Sequence, residues 1–334
     1  MSVELATRLM PASAAAIDDA ARILAAGGLV AFPTETVYGL GADATNATAI
    51  ARLYAAKGRP RFNPLIAHVA DLAAARTLAK FDAAAETLAE KFWPGPLTLV
   101  LPKSTGCAVA ELATAGLDSI AVRMPDHPVA RDLLRAFGKP IVAPSANRSG
   151  HVSPTTAAHV LADLRGRIDL ILDGGATPVG VESTIVACLD RPVLLRPGGL
   201  PRTRIEQALG APLTDPPPDE AELDAPLAPG MLASHYAPRT KLRLDAKEVH
   251  EGEVVLAFGS TLPPGAAKAA KVFNLSVDGD LVEAAANLFS QLRMLDASNA
   301  TTIAVMPVPH TGLGEAINDR LARAAAPRES HRHE

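Results

Sequence analysis

At 334 residues and 48% hydrophobic positions, the chain is long enough for two domains and too apolar to be disordered over most of its length. A formal charge of −4 argues against a protein that coats nucleic acid by bulk electrostatics, leaving room only for a local basic groove. Cys107 and Cys188 are the only cysteines and lie outside any CxxC spacing, which excludes a disulfide scaffold and a cysteine zinc site and fits a reducing cytosol. The opening MSVELATRLMPAS lacks the apolar core of a signal peptide, and no apolar run reaches the ~18 residues a membrane helix needs. The expectation is a cytoplasmic protein without a membrane partner.

In chain order, Ile17, Ala20, Ala21, Leu24 and Ala25 recur at helical spacing and stop at Gly27-Gly28. Leu29 to Phe32 reads as a short buried strand ended by Pro33, and Asn46 to Ala56 as a helix through Ile50, Leu53 and Tyr54. Further strands are predicted at Leu65–Val69, Leu97–Leu101, Ser119–Arg123, Pro140–Ala143, Leu170–Leu172, Ser183–Ala187 and Val193–Leu195, with helices between several of them. Seven prolines mixed with acidic residues fill 211–240, which reads as an extended linker. Its far end, with Met231, His235 and Tyr236, carries aromatic and titratable groups that a pure spacer lacks. Beyond it, Val254–Phe258 and Thr302–Met306 read as strands, Leu281–Leu295 and Gly314–Ala325 as helices. That small unit shows no constellation of catalytic residues.

The fold class is therefore α/β: a large twisted mixed sheet with flanking helices over 1–210, then a linker over 211–240. A small Rossmann-like parallel α/β domain follows over 241–326, and a disordered tail over 327–334.

Two short signatures carry the chemistry. Lys57-Gly58-Arg59 and Ser145-Ala146-Asn147 sit at the edges of apolar segments, read here as turns rather than exposed helix faces. A planar guanidinium, a mobile ammonium and adjacent hydroxyl and amide groups suit a polyanion such as a nucleotide triphosphate. The competing reading makes Lys57 and Arg59 a solvated helix end favoured by the helix dipole. No GxxxxGK[ST] loop and no GxGxxG helix opening occur, so ATP would not bind through a P-loop or a dinucleotide fold. No HExxH or dense acidic cluster supplies a metal cage, so any Mg²⁺ enters with the phosphates. Polar residues gather instead on Gly- and Pro-rich turns at strand ends, interleaved with Arg59, Arg123 and Arg196.

The blocks PTETVYGLGADA, KGRPRFNPLIAHV, FWPGPLTLVL, VRMPDHP, PSANRSGHVSPT, VESTIV and LRPGG, in this order, resemble those of the YrdC-like L-threonylcarbamoyl-AMP synthases. PGMLASHYAP followed by a small α/β domain resembles the long, two-domain form of that family. The resemblance implies synthesis of threonylcarbamoyl-adenylate from L-threonine, bicarbonate and ATP, with release of pyrophosphate and with Mg²⁺ accompanying the ATP. A downstream threonylcarbamoyl transferase complex would then move the group onto the adenosine beside the tRNA anticodon, so that tRNA is an indirect partner and DNA is none.

It further implies that Lys57, Arg59, Ser145 and Asn147 form the family's KxR and SxN signatures and handle the triphosphate. Asn63, Ser119, Ser153 and Arg196 would also serve ATP, with His235 and Tyr236 folding back as part of a lid. Thr36, His68, Arg123 and Ser183, with the backbone near Ala143, would hold L-threonine, Arg123 as the carboxylate fork. Arg61 departs from the pattern, adding charge where a small or acidic residue is expected at the pocket rim. Two other readings stand beside this one. One is an RNA-binding module using the same basic concave surface without ATP turnover. The other, a carbamoyl-transfer maturation protein, calls for zinc-finger and acylphosphatase-like segments that this chain lacks.

Overall fold

The computed structural model describes residues 5–216, 228–229, 236–298 and 300–327. His235 and the tail from 328 onward lie outside the described residues.

The first ten strands are β1 (Arg8–Pro11), β2 (Val30–Pro33), β3 (Tyr38–Asp43), β4 (Ile66–His68), β5 (Leu97–Pro102), β6 (Ser119–Arg123), β7 (Ile141–Val142), β8 (Leu170–Asp173), β9 (Thr184–Cys188) and β10 (Pro192–Arg196). They form one mixed sheet in the order β1-β8-β2-β3-β7-β4-β6-β5-β9-β10. One face is covered by α2 (Ala47–Lys57), α3 (Leu72–Leu78), α4 (Ala83–Phe92), α6 (Ala157–Leu164) and α7 (Arg202–Leu209), packed on Leu97, Leu99, Leu101, Val122 and Val186. The other face is covered by α1 (Ala14–Ala25) and α5 (Pro128–Phe137) only over β2, β7 and β8. Across β4, β5, β6 and β9 that face carries a small apolar cluster, Ile66, Val100, Ala121, Ile185, Ala187 and Leu195, capped by Ala228.

Strand alternation decides what reaches this open face. Leu65, Ala67 and Val69 go to the helix-covered core, so His68 shares the open side with Ile66. Ile120 and Val122 do the same for Ser119, Ala121 and Arg123, and β4 pairs with β6 so that His68 stands opposite Arg123. A bulge in β10 completes the pattern: Leu194 opposes Val186, but Arg196 opposes Ile185, with Leu195 inserted between them. Strict alternation would have turned Arg196 into the core; the extra residue keeps both Leu195 and Arg196 on the open face.

The smaller sheet, β11-β14-β12-β13, is parallel throughout and is built from β11 (Lys241–Arg243), β12 (Glu253–Ala257), β13 (Val272–Asn274) and β14 (Thr302–Val305). Two helices, α8 (Leu281–Asp296) and α9 (Gly314–Ala325), pack on it through Leu288, Phe289, Leu292, Ile317 and Leu321. The same apolar cluster takes in Val37, Val152 and Val181 from the large sheet's loops, together with Tyr236. Ion pairs flank this junction: Arg293 to Asp163 at 2.9 Å and Arg202 to Glu315 at 2.8 Å.

The structure corrects several sequence expectations. Lys57 is not on a turn but is the last residue of α2, with Gly58 as a left-handed C-cap at φ 60°. The stretch YGLGAD, to which the sequence assigns no strand, is strand β3, fully buried; its glycines let the neighbouring strands close over it. Edge strands β1, β11 and β13 are also additional to those expected, as none of their positions is buried and none shows alternation. Within 211–240, Leu213 and Tyr236 are buried and Thr214 bridges to Val193, so that segment is more than a spacer. The lone tryptophan, Trp93, caps the C-terminus of α4 and is joined by a cis bond to Pro94, ahead of β5; its indole donates to the Leu97 carbonyl at 2.7 Å and lies edge-on to Phe81.

Gly198 shows how tightly the open face is framed. A Cβ placed there would sit 2.4 Å from the Glu182 carbonyl oxygen and from backbone atoms of Ser183 and Thr184. None of these can move as a side chain could. Gly198→Ala is therefore expected to cost at least the ~1–3 kcal/mol typical of overpacking, read as a lowered midpoint in urea unfolding; an unchanged midpoint would mean the 182–184 backbone yields freely.

Candidate functional site

The two signatures meet in space. Lys57, carried by the last turn of α2, donates through Nζ to the Ser145 carbonyl at 2.5 Å and to the Asn147 carbonyl, while Ser149 donates its amide back to the Lys57 carbonyl at 2.9 Å. Ser145 Oγ donates to Asn147 Oδ1 at 2.6 Å, and Asn147 Nδ2 to the His151 carbonyl at 2.6 Å, so the SAN segment is a closed turn around the ammonium. Arg59 donates to the carbonyls of Asn63 and Pro64, and Arg196 to those of Ser183 and Pro229. All three cations are at most 8% exposed. None of the three forms an ion pair among the described residues; each is held on carbonyl oxygens. The solvated-helix-end reading of Lys57 and Arg59 is thus overturned by their burial.

Burial has electrostatic consequences. Burial, with repulsion from Arg59, holds the Lys57 ammonium well below the usual lysine range. Burial pushes Arg59 down to about 10 and lowers Arg196 as well. Positive groups gathered without carboxylate partners make a site whose charge is relieved when an anion enters.

One cavity on the open face brings Arg59 and Arg196 together with several of the remaining residues, while Lys57 and Asn147 stay outside its wall and meet it through Ser145. Its wall includes Thr36, His68, Arg123, Ala143, Ser145 and Ser183, with Arg59, Arg196 and Tyr236 completing it. His68 is buried, with Nδ1 3.2 Å from the Ile66 carbonyl, a pairing that puts the proton on Nδ1 and leaves Nε2 as acceptor. Burial, reinforced by Arg123, pushes His68 down to about 3, so the ring is neutral. Thr36 Oγ1 meets Thr34 Oγ1 at 2.8 Å, and Ser183 Oγ meets Thr98 Oγ1 at 2.8 Å. Tyr236, left-handed at φ 62°, stacks on Phe289 at 5.7 Å.

Some expected residues are placed differently. Arg123 is not an open fork: one arm donates to Glu35 at 2.6 Å, and Nε to the Gly95 carbonyl at 3.4 Å. Ser119 shares the open face but lies four residues along β6 from Arg123, about 13 Å at strand spacing. Continuing the β4–β6 register two residues back brings it beside Pro64, next to Asn63. Asn63 is buried, with an Oδ1 that accepts from no described group. Ser153 stands behind the cavity wall, donating to Glu182 Oε1. Arg61 is exposed and outside the cavity wall. Sequence reasoning gave no role to Glu35 or Glu182, although both stand inside the quoted blocks; each is buried against a guanidinium, Arg123 for one and Arg320 for the other. Among the described residues no group of three His, Cys, Asp or Glu side chains is placed to hold a metal ion, and no helix is long and apolar enough to cross a membrane.

Residues 22–198 match the family profile of Sua5, YciO and YrdC, described as Telomere recombination, and residues 200–326 match the one described as Threonylcarbamoyl-AMP synthase, C-terminal domain. The chain is 47% identical to the Threonylcarbamoyl-AMP synthase of Pyrococcus abyssi, over 92% of this chain and 93% of that protein. It is 43% identical to the Threonylcarbamoyl-AMP synthase of Bacillus subtilis, over 93% of each. The fold superposes with a TM-score of 0.86 on the crystal structure of P. abyssi Sua5 complexed with L-threonine, at 41% identity, covering 96% of this chain and 97% of that one.

Buried His68 and part-buried His159 give a pH signature. Burial lowers His68 to about 3 and His159 to about 4, whereas the unfolded chain takes up these protons near 6.5. Their contribution is full above 6.5 and drains away as pH falls toward 3–4, because the unfolded state then binds more protons. Unfolding free energy measured in urea is expected to decline from pH 7 to pH 4, and His68→Gln to flatten that slope. An unchanged slope in the variant would show that His68 accepts its proton without cost in the folded chain.

Proposed function

This chain belongs to the threonylcarbamoyl-AMP synthase family, and from that premise we propose that it makes L-threonylcarbamoyl-AMP from L-threonine, bicarbonate and ATP, releasing pyrophosphate. The observation that carries the reading is the cavity walled by Arg59 and Arg196, with Lys57 held on the carbonyl of the wall residue Ser145, three buried cations that form no ion pair among the described residues. In this reading Lys57, Arg59, Ser145 and Asn147 handle the triphosphate. Asn63, Ser119, Ser153 and Arg196 serve the rest of ATP, with His235 and Tyr236 closing over it. Thr36, His68, Arg123, Ser183 and the Ala143 backbone hold threonine, the His68 Nε2 acting as acceptor and Arg123, steadied by Glu35, facing the carboxylate.

The chemistry follows from positioning. The threonine amine adds to bicarbonate with loss of water, giving an N-carboxylate. One of its oxygens attacks the α-phosphorus, the bond to the β-phosphate oxygen breaks, and pyrophosphate leaves. Two anions approach each other in this step, so buried cations screen the encounter and take up charge on the leaving group. No covalent nucleophile is needed; orientation in a water-poor cleft supplies the rest. Mg²⁺ would come as part of the ATP substrate, since Glu182 in the cavity wall and Glu35 behind Arg123 are both engaged by arginines.

We assign catalysis to 1–210, the lid to 211–240 and the small α/β unit to 241–326. The product is a mixed anhydride that a threonylcarbamoyl transferase complex consumes in modifying tRNA, and the free thiols of Cys107 and Cys188 suit a cytoplasmic setting.

The test is pyrophosphate release from ATP with and without L-threonine and bicarbonate. Release dependent on both is expected; salt-sensitive RNA binding without any turnover would overturn the reading. Lys57→Ala and Arg59→Ala are each expected to lower kcat/KM for ATP by about 10²-fold or more in protein that circular dichroism shows to be still folded at the assay temperature, with a lowered thermal midpoint because each variant leaves buried carbonyls without a donor. Normal turnover in either variant would remove that residue from the triphosphate site.

A further inference from the structure

Arg320 is the largest side chain with no solvent exposure among the described residues, yet it comes from α9 of the small domain and reaches into the large sheet's site. Its Nε donates to Glu182 Oε2 at 2.7 Å, and its Nη2 to the Pro197 carbonyl at 3.1 Å. Nη1 pairs with Asp319, and the guanidinium lies 5.0 Å from the centre of the Tyr236 ring. The other oxygen of Glu182 accepts from Ser153 Oγ. One fork therefore ties together the turn that precedes Ser183, the turn that follows Arg196, and the tyrosine of the 211–240 segment. Glu182 itself stands in the cavity wall.

A bare carboxylate there would oppose every anion that enters and would compete for Arg196. Burial pushes the Glu182 pKa up, but Arg320, then Arg196, outweigh burial and keep it below the usual carboxylate range. A buried guanidinium that neutralises this carboxylate leaves the field of Arg59 and Arg196 available to phosphate.

We propose that Arg320 is a positioning residue of the active site: it neutralises and orients Glu182, and through it Ser153, Ser183 and Arg196, so that the small domain completes the ATP site. The proposal rests on the synthase reading for its substrate, but its first readout is ATP affinity. A buried ion pair that only fastened two domains would show in stability alone. The same pair serving the site shows in ligand affinity at full folding, and removing both charges together relieves the defect.

The test uses the full-length chain, with ATP dissociation constants from calorimetry, KM and kcat from pyrophosphate release, and thermal melting as the check on folding. Arg320→Met, which bares Glu182, is expected to weaken ATP binding at least tenfold in folded protein, raising KM more than it lowers kcat. Glu182→Gln/Arg320→Met, which removes both charges and keeps the bond to Ser153, is expected to return to within threefold of the unaltered protein. A folded Arg320→Met with unchanged ATP affinity, or a double variant no tighter than the single one, overturns the proposal. If Arg320→Met does not fold, Arg320→Gln replaces it, removing the cation while keeping an amide donor; at least a threefold weakening is expected, and an unchanged affinity overturns the proposal. Unaltered protein that binds ATP yet releases no pyrophosphate overturns the synthase reading instead, while the variants' affinities still decide the role of Arg320.

Discussion

Lys57, Arg59 and Arg196 are buried on carbonyl oxygens, and a fold can hold such groups only where backbone dipoles are brought to them from several directions. That requirement shapes the surroundings. The SAN turn closes on itself so that two carbonyls point at one ammonium. The proline-bounded stretch after Gly58 offers the Asn63 and Pro64 carbonyls to a guanidinium, and the end of β10 runs close to Ser183. Carboxylates are kept from these cations by being given other arginines: Glu35 has Arg123, and Glu182 has Arg320. The charge left over is a stored preference for an anion, held in place before any ligand arrives.

The sheet supplies the geometry with little freedom to vary it. Helices cover one face and only part of the other, so the strands β4, β6, β5 and β9 turn every second residue to the open face. His68, Thr98, Arg123 and Ser183 are all placed by that period of two. Arg196 reaches the same face through the bulge at Leu195, and Gly198 lets the chain turn against the 182–184 backbone without a side chain between. Each of these devices concerns residue count or absent volume rather than a functional group.

Much of this was legible in the sequence because it is local. The strands at 65–69, 97–101 and 119–123 announce themselves by apolar continuity, and α8 by its helical stripe. The cavity residues stand in short blocks at strand ends. What was hidden is what depends on partners distant in sequence. YGLGAD does not look like a strand because its glycines answer to neighbouring backbones, not to their own propensity. Arg320 looks like one more charge on a helix; only the fold reveals that 138 positions of sequence separate it from the carboxylate it holds. The small domain accordingly read as chemically silent, and Arg123 as a free fork, since nothing local shows that Glu35 occupies one of its arms.

Trp93 gives the molecule an unequal visibility. It is the single indole in the chain, fixed to the Leu97 carbonyl two residues from Gly95, whose own carbonyl takes the Arg123 Nε. Intrinsic fluorescence excited at the red edge therefore watches the large sheet and the Arg123 corner of the cavity, and is blind to the small domain. A single smooth emission curve on heating would describe one half of the protein, and circular dichroism recorded alongside it would reveal whether the other half melts in step, as a junction sealed by a buried ion pair demands.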